Sequence, residues 1–211
     1  MDKEEFIQKN KVFFEKWAKV YNFIEIAIKG VRKYISNLIP NSSSLEILDL
    51  CTGTGSLALK FATKNGHNIT GIDLSEAMLI QAHKRNKFSN LRFMKGDATN
   101  LPFDDSNKNI CSISFGLHDM PHEIRLEAFN EMVRVVKPTG YLIIADYNRP
   151  KNSLLQNLYF KLTAVYESEF YPSWYWGNYF TQLIKLHPCS LIHNKTFLGA
   201  YMRILVIKPK K

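Results

Sequence analysis

The chain has 211 residues, about the size of one domain with an addition, and 45% of them are hydrophobic and 22% charged. This composition excludes a disordered chain, and a chain of this length can bury a sizeable core. There are 28 Lys and Arg against 19 Asp and Glu, so the net charge is +9. The basic residues are dispersed, which favours a solvated basic surface, and no nucleic-acid partner is expected.

Three further features bear on the setting of the chain. We find no long uncharged apolar run that would predict a membrane span. The first five residues lack the apolar region of a signal peptide. Cys51, Cys111 and Cys189 are too widely spaced to predict a metal site, and they indicate a reducing, cytoplasmic setting.

The first forty residues predict a helical unit. Apolar residues recur at helical spacing over residues 3–20 and again over 22–39. Pro40 and the polar run 41–44 end this unit. We therefore expect residues 1–40 to form an N-terminal helical lid, followed by a second unit over residues 41–211.

From Leu45 onwards, short apolar runs alternate with helical patterns. Strands are predicted at 46–50, 68–72, 91–95, 110–115 and 141–146, and helices at 54–64, 75–87 and 121–136. Ser75 is the expected N-cap of the second of these helices, and the sequence 137–140 predicts a turn. Alternation of strand and helix indicates a parallel sheet covered by helices on both faces.

The last third of the chain changes character. Residues 151–186 read as helical and are rich in aromatic side chains. Two final strands, at about 189–195 and 200–208, predict an antiparallel hairpin at the sheet end. The expected fold is therefore a Rossmann-like, doubly wound α/β domain of about seven mostly parallel strands, with a helical insertion at about 150–186.

The loop after the first strand carries a glycine pattern. Gly53, Gly55 and Ala58 fit the dinucleotide pattern G-x-G-x-x-[GA], in which glycines let the backbone approach a ligand at a helix N-terminus. This pattern alone leaves two ligand classes open, dinucleotides and other nucleosides. Asp49 separates them, because a carboxylate at the strand end opposes a pyrophosphate and suits an ammonium group.

Two more carboxylates follow at the ends of the next strands. Asp73 comes about 20 residues after the glycines, where an acidic residue accepts hydrogen bonds from a ribose diol. Asp97 follows the third strand and can accept from an adenine amino group. A nucleoside with an ammonium group and no phosphate describes S-adenosylmethionine.

Five stretches in order resemble one family, the class I S-adenosylmethionine-dependent methyltransferases, within the type 11 subgroup that includes the ubiquinone/menaquinone-biosynthesis C-methyltransferases. The matching stretches are 48–55, 71–79, 96–103, 114–118 and 136–140. The segment from Phe14 to Tyr21 is similar to the N-terminal lid of that subgroup. Two positions depart from the family pattern, because Cys51 replaces its first glycine and Asn22 replaces an Asp beside the lid tyrosine.

The resemblance implies a set of site residues around S-adenosylmethionine and its product S-adenosylhomocysteine. Tyr21 would cover the cofactor, Met78 and Ala98 would flank the adenine, and Ser114 and Phe115 would line the crevice. The complete predicted cofactor set is Tyr21, Asp49, Cys51, Gly53, Thr54, Gly55, Asp73, Leu74, Met78, Asp97, Ala98, Ser114 and Phe115.

The predicted reaction is methyl transfer by in-line displacement to a small-molecule or lipid-like acceptor, for which the protein mainly supplies proximity and a dry pocket. His118 and Tyr147 are the predicted catalytic residues, and Asp119 and Tyr171 are further candidate bases. No metal site is predicted, since Pro121 breaks any shared helix between His118 and His122.

Several alternatives stay open at this level. The chain could be a nicotinamide-dinucleotide-dependent oxidoreductase or a non-catalytic S-adenosylmethionine-binding protein. The aromatic segment 159–180 either covers an apolar acceptor or packs onto the sheet, and with the basic charge it suits peripheral membrane contact. The acceptor, the atom that is methylated and the oligomeric state are not specified by the sequence.

Overall fold

Seven strands form one mixed sheet in the computed structural model, which describes residues 3–17, 21–41, 44–64, 66–177, 179–186 and 188–210. The strands are β1 (Glu46–Leu50), β2 (Asn68–Asp73), β3 (Leu91–Lys95), β4 (Lys108–Ser114), β5 (Val136–Tyr147), β6 (Cys189–Phe197) and β7 (Met202–Pro209). Their order across the sheet is β3-β2-β1-β4-β5-β7-β6. This confirms the predicted doubly wound fold.

The first five strands are parallel, and the last two form the predicted hairpin at one end. β1 pairs with β2 on one side, with Asp49 opposite Gly71, and with β4 on the other, with Asp49 opposite Ser112. β7 runs antiparallel to both β5 and β6. The chain order reverses between β1 and β4, and open α/β sheets bind ligands at the carboxyl ends of the strands at such a point.

Helices cover the sheet and supply much of the core. They are α1 (Lys3–Trp17), α2 (Tyr21–Leu38), α3 (Ser56–Ala62), α4 (Glu76–Arg85), α5 (His122–Val135), α6 (Ser153–Thr163), α7 (Tyr171–Gly177) and α8 (Tyr179–Leu186). α2 buries Ile28, Val31 and Ile35 in the core that the sheet shares, and Ile39 just beyond the helix is buried there too. Ser75 is the N-cap of α4, as predicted, and its hydroxyl accepts a hydrogen bond from the Met78 N–H.

The structure corrects two predictions of local conformation. Residues 137–140 were predicted as a turn, but β5 runs through them, because Val136 pairs with Lys108 across a register shift at the start of the β4–β5 ladder. The predicted helical stretch 151–186 is divided into α6, α7 and α8, with non-helical residues 164–170 between the first two.

In the order of the chain, α1 and α2 come before the alternation of strands and helices. That residues 1–40 act as a lid stays a prediction. Within the residues that the structure describes, we find no helix that combines the length and the apolar character needed to cross a bilayer.

Candidate cofactor-binding site

A pocket opens at the carboxyl ends of β1, β2, β3 and β4, where the sequence predicts the cofactor. Its empty space, counted out to and including the open mouth, is about 680 Å³. The predicted residues that line it are Cys51, Gly53, Asp73, Leu74, Met78, Asp97, Ala98 and Phe115. The sheet therefore brings together eight of the thirteen predicted cofactor residues.

The glycine loop between β1 and α3 has the backbone conformation that the glycine pattern predicts. Gly53 and Gly55 have φ of +55° and +78°, values that side-chain-bearing residues rarely adopt. Gly55 precedes α3, and a Cβ there would lie 2.5 Å from Cζ of Phe93. Glycine at position 55 is therefore required both by the turn and by the close approach of the Phe93 ring.

Asp73 ends β2 and holds the glycine loop against the next helix. Its Oδ2 accepts a hydrogen bond of 2.7 Å from the Gly53 N–H, and its Oδ1 accepts one of 2.8 Å from the Ser75 N–H. Burial raises the pKa of this carboxyl to about 6, although the two N–H donors oppose the shift. Asp73 lines the pocket, and each of its oxygens has a further lone pair beyond the one used in these bonds.

Asp49 lies beneath the glycine loop and does not line the pocket. Its Oδ2 accepts from the Thr52 hydroxyl and its Oδ1 from the Ser112 hydroxyl, each at 2.7 Å. Burial raises the pKa of Asp49, and the two hydroxyl donors counteract part of that shift. The predicted contact with the ammonium group stays a prediction, while the visible contacts of Asp49 are with the loop and β4.

Asp97 lines the pocket after β3, where the adenine amino group was predicted to bind. Its Oδ1 accepts from the Thr99 N–H and hydroxyl at 2.8 Å, and its Oδ2 forms an ion pair of 3.0 Å with Lys3 of α1. Partial burial would raise the pKa of Asp97, but the Thr99 N–H and the Lys3 ammonium outweigh it and hold the pKa below its usual value.

The remaining predicted residues lie in or below the pocket wall. Thr54 and Ser114 are buried and do not line the pocket. Gly55 belongs to the glycine loop but is likewise not part of the lining. The side chain of Tyr21 lies outside the described residues, so the predicted lid contact has no structural description.

Sequence reasoning did not assign Phe6, Asn10 and Met120 to the pocket. Phe6, Asn10 and Phe14 of α1 line it, as do Asp119 and Met120 beyond β4. The sequence signals for α1 were an apolar stripe, which is equally typical of core packing, and the resemblance of the segment that begins at Phe14 to a lid.

The two predicted catalytic residues belong to a buried polar cluster beside the pocket, made of His118, Asp119, Asp146, Tyr147 and Glu167. His118 Nδ1 lies 2.7 Å from Asp146 Oδ1, and its Nε2 lies 3.0 Å from Glu167 Oε2 and 3.4 Å from Asp119 Oδ2. The Tyr147 hydroxyl donates to Glu167 Oε1 at 2.6 Å. Of these five side chains, Asp119 lines the pocket, whereas His118 and Tyr147 lie behind it.

The charges of this cluster set its protonation. Burial alone would lower the pKa of His118, but the carboxylates of Asp119, Asp146 and Glu167 reverse that effect and raise it well above 6.5. Burial raises the pKa of Asp119 to about 6. Within the described part of the chain, Asp119 Oδ1 is a buried atom with no hydrogen-bond partner.

His118, Asp119 and Glu167 also have ligand atoms within 4.8 Å of one another, a spacing compatible with a metal ion. A metal ion bound there would have to displace the proton that the three carboxylates hold on His118. His122, the other half of the metal pattern weighed from the sequence, instead lies against Tyr179, with the ring centroids 5.4 Å apart.

A second cavity adjoins the first on the side of α1. Asn10, Phe14 and Asp119 line both cavities, and the far wall is formed by Ser168, Glu169 and Phe170. Val12 and Phe13 of α1 add apolar surface to it. Asp119 therefore lies at the junction of two adjoining cavities.

One buried arginine fixes the far wall of this second cavity. Arg125 of α5 donates from Nε to the Leu117 carbonyl at 2.8 Å. Its Nη2 donates to the Phe170 carbonyl at 3.0 Å and to the Ser173 hydroxyl at 2.9 Å. The loop after β4 and the segment after α6 are thus held by the same guanidinium.

The first pocket fits an adenosyl compound that carries no phosphate. Among the described residues that line it, Asp73, Asp97 and Asp119 are the charged ones, and Lys and Arg are absent. Carboxylates suit the hydroxyls of a ribose and the amino group of an adenine, and they attract a cationic sulfonium. A diphosphate would meet negative charge on three sides, so the site does not suit a nicotinamide dinucleotide.

Comparison with known proteins agrees with this fit. The model of the ubiE/COQ5 methyltransferase family matches residues 7–174. The chain is 33% identical over 149 residues to a demethylmenaquinone methyltransferase of Staphylococcus epidermidis. The aligned region covers 69% of this chain and 61% of that protein. It is 42% identical over 130 residues to a ubiquinone/menaquinone biosynthesis C-methyltransferase of Rickettsia bellii, with 57% and 51% covered.

The chain thus spans between half and two thirds of the length of these relatives. Among solved structures, the putative methyltransferase in complex with the Trm112 methyltransferase activator of Haloferax volcanii superimposes with a TM-score of 0.77 at 15% identity, covering 95% of this chain and 97% of that one. This likeness concerns the fold. The match of the family model over most of the sequence, together with a pocket suited to S-adenosylmethionine, leads to one conclusion: the chain belongs to the ubiE/COQ5 methyltransferase family.

Proposed function

We propose that this chain transfers the methyl group of S-adenosylmethionine to an apolar, ring-shaped acceptor of the quinol type. Relatives named for demethylmenaquinone and for ubiquinone/menaquinone biosynthesis support this acceptor class. Neither the oxidoreductase alternative nor the purely binding alternative has comparable support, because the family is one of methyltransferases.

The second cavity is the observation that carries the proposal. It lies against the cofactor pocket and is lined mainly by apolar groups of Val12, Phe13, Phe14 and Phe170. A flat apolar ring placed there removes these side chains from water, and ring faces also pack favourably on aromatic side chains. The shared wall brings such an acceptor next to the methyl donor.

The cofactor, when bound, supplies a sulfonium methyl that is already activated for displacement. The residues of the chain then have three tasks. Asp73 and Asp97 hold the nucleoside, while Phe14 and Met120 exclude water from the space between donor and acceptor. Asp119, at the junction, accepts the proton that an acceptor hydroxyl loses.

Asp119 is suited to this proton transfer by position and by charge. Its Oδ1 has no hydrogen-bond partner among the described residues, so it is available to an acceptor hydroxyl. With a pKa of about 6, the carboxyl is ionised above that pH and can act as a base. His118, predicted as catalytic, is better suited to a positioning role, since its Nε2 faces Asp119 Oδ2 at 3.4 Å.

The experiment is a labelled-methyl assay with a short-chain naphthohydroquinol, a phospholipid and an amine as separate acceptors. Transfer to the hydroquinol is expected, and transfer only to the amine or the phospholipid would overturn the proposal. Asp119→Asn is expected to lower kcat by about a hundredfold while cofactor affinity stays close to that of the wild type. The exposed Asp104→Asn is the matched control and should leave kcat unchanged.

The pH profile provides a second readout. In the wild type, kcat is expected to rise with pH through about 6, as Asp119 loses its proton. Asp119→Asn should lack this rise. A variant that keeps both the rate and the rise would show that the proton goes elsewhere.

A further inference from the structure

The outer face of α6 exposes a row of large apolar side chains. Leu154, Leu158 and Leu162 recur every four residues and are 80%, 51% and 60% exposed, and Val165, just beyond the helix, is 85% exposed. Residues at this spacing lie on one side of a helix. These four residues are called the α6 patch, and Trp176 of α7, which is 40% exposed, packs on Phe160 of the same helix.

The opposite face of α6 is anchored, so the patch is held outwards. The Tyr159 ring stacks on the Tyr201 ring with centroids 4.3 Å apart. Phe160 packs on Tyr171 and on Trp176, with centroid distances of 5.8 and 5.4 Å. Turning the helix to bury the leucines would break these contacts. Contiguous exposed apolar surface of this kind marks an interaction site.

The segment that carries the patch is basic up to Tyr166, and the exposed Glu169 beyond it pairs with Lys9. Arg149, Lys151 and Lys161 are exposed, and residues 147–166 contain no Asp or Glu. The Arg149 guanidinium lies over the Trp176 ring, 5.8 Å from its centroid. A tryptophan beside basic groups is the combination that favours the boundary between lipid headgroups and acyl chains.

We propose that the α6 patch binds the surface of a bilayer that contains anionic phospholipid. The leucines enter the boundary of the acyl chains, and the three basic side chains contact the phosphates. Pairing with a second copy is disfavoured by the same charges, because it would bring the basic groups of one copy against those of the other.

The position of the patch relates it to the acceptor cavity. Val165 precedes, by three residues, Ser168, which lines that cavity together with Phe170. Docking of α6 on a bilayer would therefore bring one wall of the acceptor cavity near the lipid. This inference does not depend on the proposed function, because binding to a bilayer requires neither cofactor nor acceptor.

The test is co-sedimentation of the full chain with vesicles, without cofactor or acceptor. Binding is expected to vesicles containing about one third phosphatidylglycerol, and to be at least tenfold weaker to pure phosphatidylcholine. It should also weaken strongly between about 0.1 and about 1 M salt, because screening removes the attraction to the phosphates. Equal binding to both vesicle types, or no binding to either, would overturn the inference.

Point variants locate the surface. Leu158→Asn and Leu162→Asn are each expected to weaken binding by about tenfold, and Lys161→Gln by about fivefold. The matched control is Ile80→Asn on α4, an aliphatic residue that is 46% exposed and should leave binding unchanged. Equal losses in Ile80→Asn, or a dimer that Leu158→Asn dissociates without any vesicle binding, would refute the bilayer surface. Methyl transfer to a water-soluble hydroquinol, measured in the same variants, tests the proposed function separately.

Discussion

Replacing Gly55 by alanine tests the glycine loop more sharply than any other change, because a matched control exists. Gly55 and Gly66 both have positive φ, +78° and +90°. A Cβ on Gly66 would meet nothing within 4 Å, whereas one on Gly55 would lie 2.5 Å from Cζ and 2.9 Å from Cε1 of Phe93. Both alanines experience the same backbone strain, and Gly55→Ala alone adds a steric conflict.

The expected magnitudes follow from these two contributions. Alanine at positive φ costs about 1 kcal/mol, offset in part by the lower entropy of the unfolded chain. Phe93 is 7% exposed, so its ring cannot move without disturbing its neighbours, and overpacking of a core adds about 1–3 kcal/mol. We expect Gly66→Ala to lower the free energy of unfolding by about 1 kcal/mol or less, and Gly55→Ala by about 2–4 kcal/mol.

The assay is urea denaturation of both variants beside the wild type, with donor affinity measured by calorimetry. Gly55→Ala should also weaken S-adenosylmethionine binding, because Gly55 adjoins the segment from Cys51 to Gly53 that lines the pocket. Gly66→Ala should bind it normally. Equal stabilities for the two alanine variants would refute the argument that the Phe93 ring restricts position 55.

Three other predictions concern the carboxylates and the histidine. Asp73→Ala is expected to weaken donor binding by roughly 10- to 100-fold in calorimetry, since a charged acceptor of ribose hydroxyls is lost. The exposed Asp104→Ala is the control and should leave the affinity unchanged. An affinity of Asp73→Ala equal to that of the wild type would mean that the ribose lies elsewhere. The pKa of His118 in the folded state is well above the value of 6.5, so its stabilising contribution is complete below that pH and declines as the pH rises further. Between pH 7 and about 10 the stability of the wild type in urea should therefore fall more than that of His118→Gln, whose own decline comes from buried groups such as Cys51 and Cys111. Parallel curves would contradict the ion pairs of the buried cluster. Treatment with a chelator is expected to leave methyl transfer unchanged, because a metal would have to displace the proton that the carboxylates hold on His118. A loss of activity that Mn²⁺ restores would refute that reasoning.

The strands were the most predictable part of the molecule. Strands buried on both faces of a parallel sheet give continuous apolar runs such as 46–50 and 91–95, and the structure has strands with those bounds. The residues after α5 were harder, because the extension of β5 through Lys137–Gly140 depends on pairing with Lys108, which is distant in sequence. Local turn signals do not contain that information.

The site shows the same distinction between local and tertiary information. Strand ends place Asp73 and Asp97 at one edge of the sheet, and this could be inferred from spacing alone. Whether a carboxylate then faces the pocket depends on its neighbours. The hydroxyls of Thr52 and Ser112 occupy both oxygens of Asp49, and neither contact is visible in the sequence. The role of Asp119 at the junction depends on where α1 and the segment after α6 pack.

The arrangement of Arg125 has a practical consequence for redesigning acceptor preference. Because this guanidinium joins the Leu117 carbonyl to the Phe170 carbonyl, it ties the segment that carries Phe170, one wall of the second cavity, to the loop that carries Asp119. An engineer who wants to admit a bulkier or more polar compound should keep Arg125 and vary Val12 or Phe13, which face the same space from α1. Such changes alter the shape of the cavity and leave the hydrogen bonds of Arg125 in place.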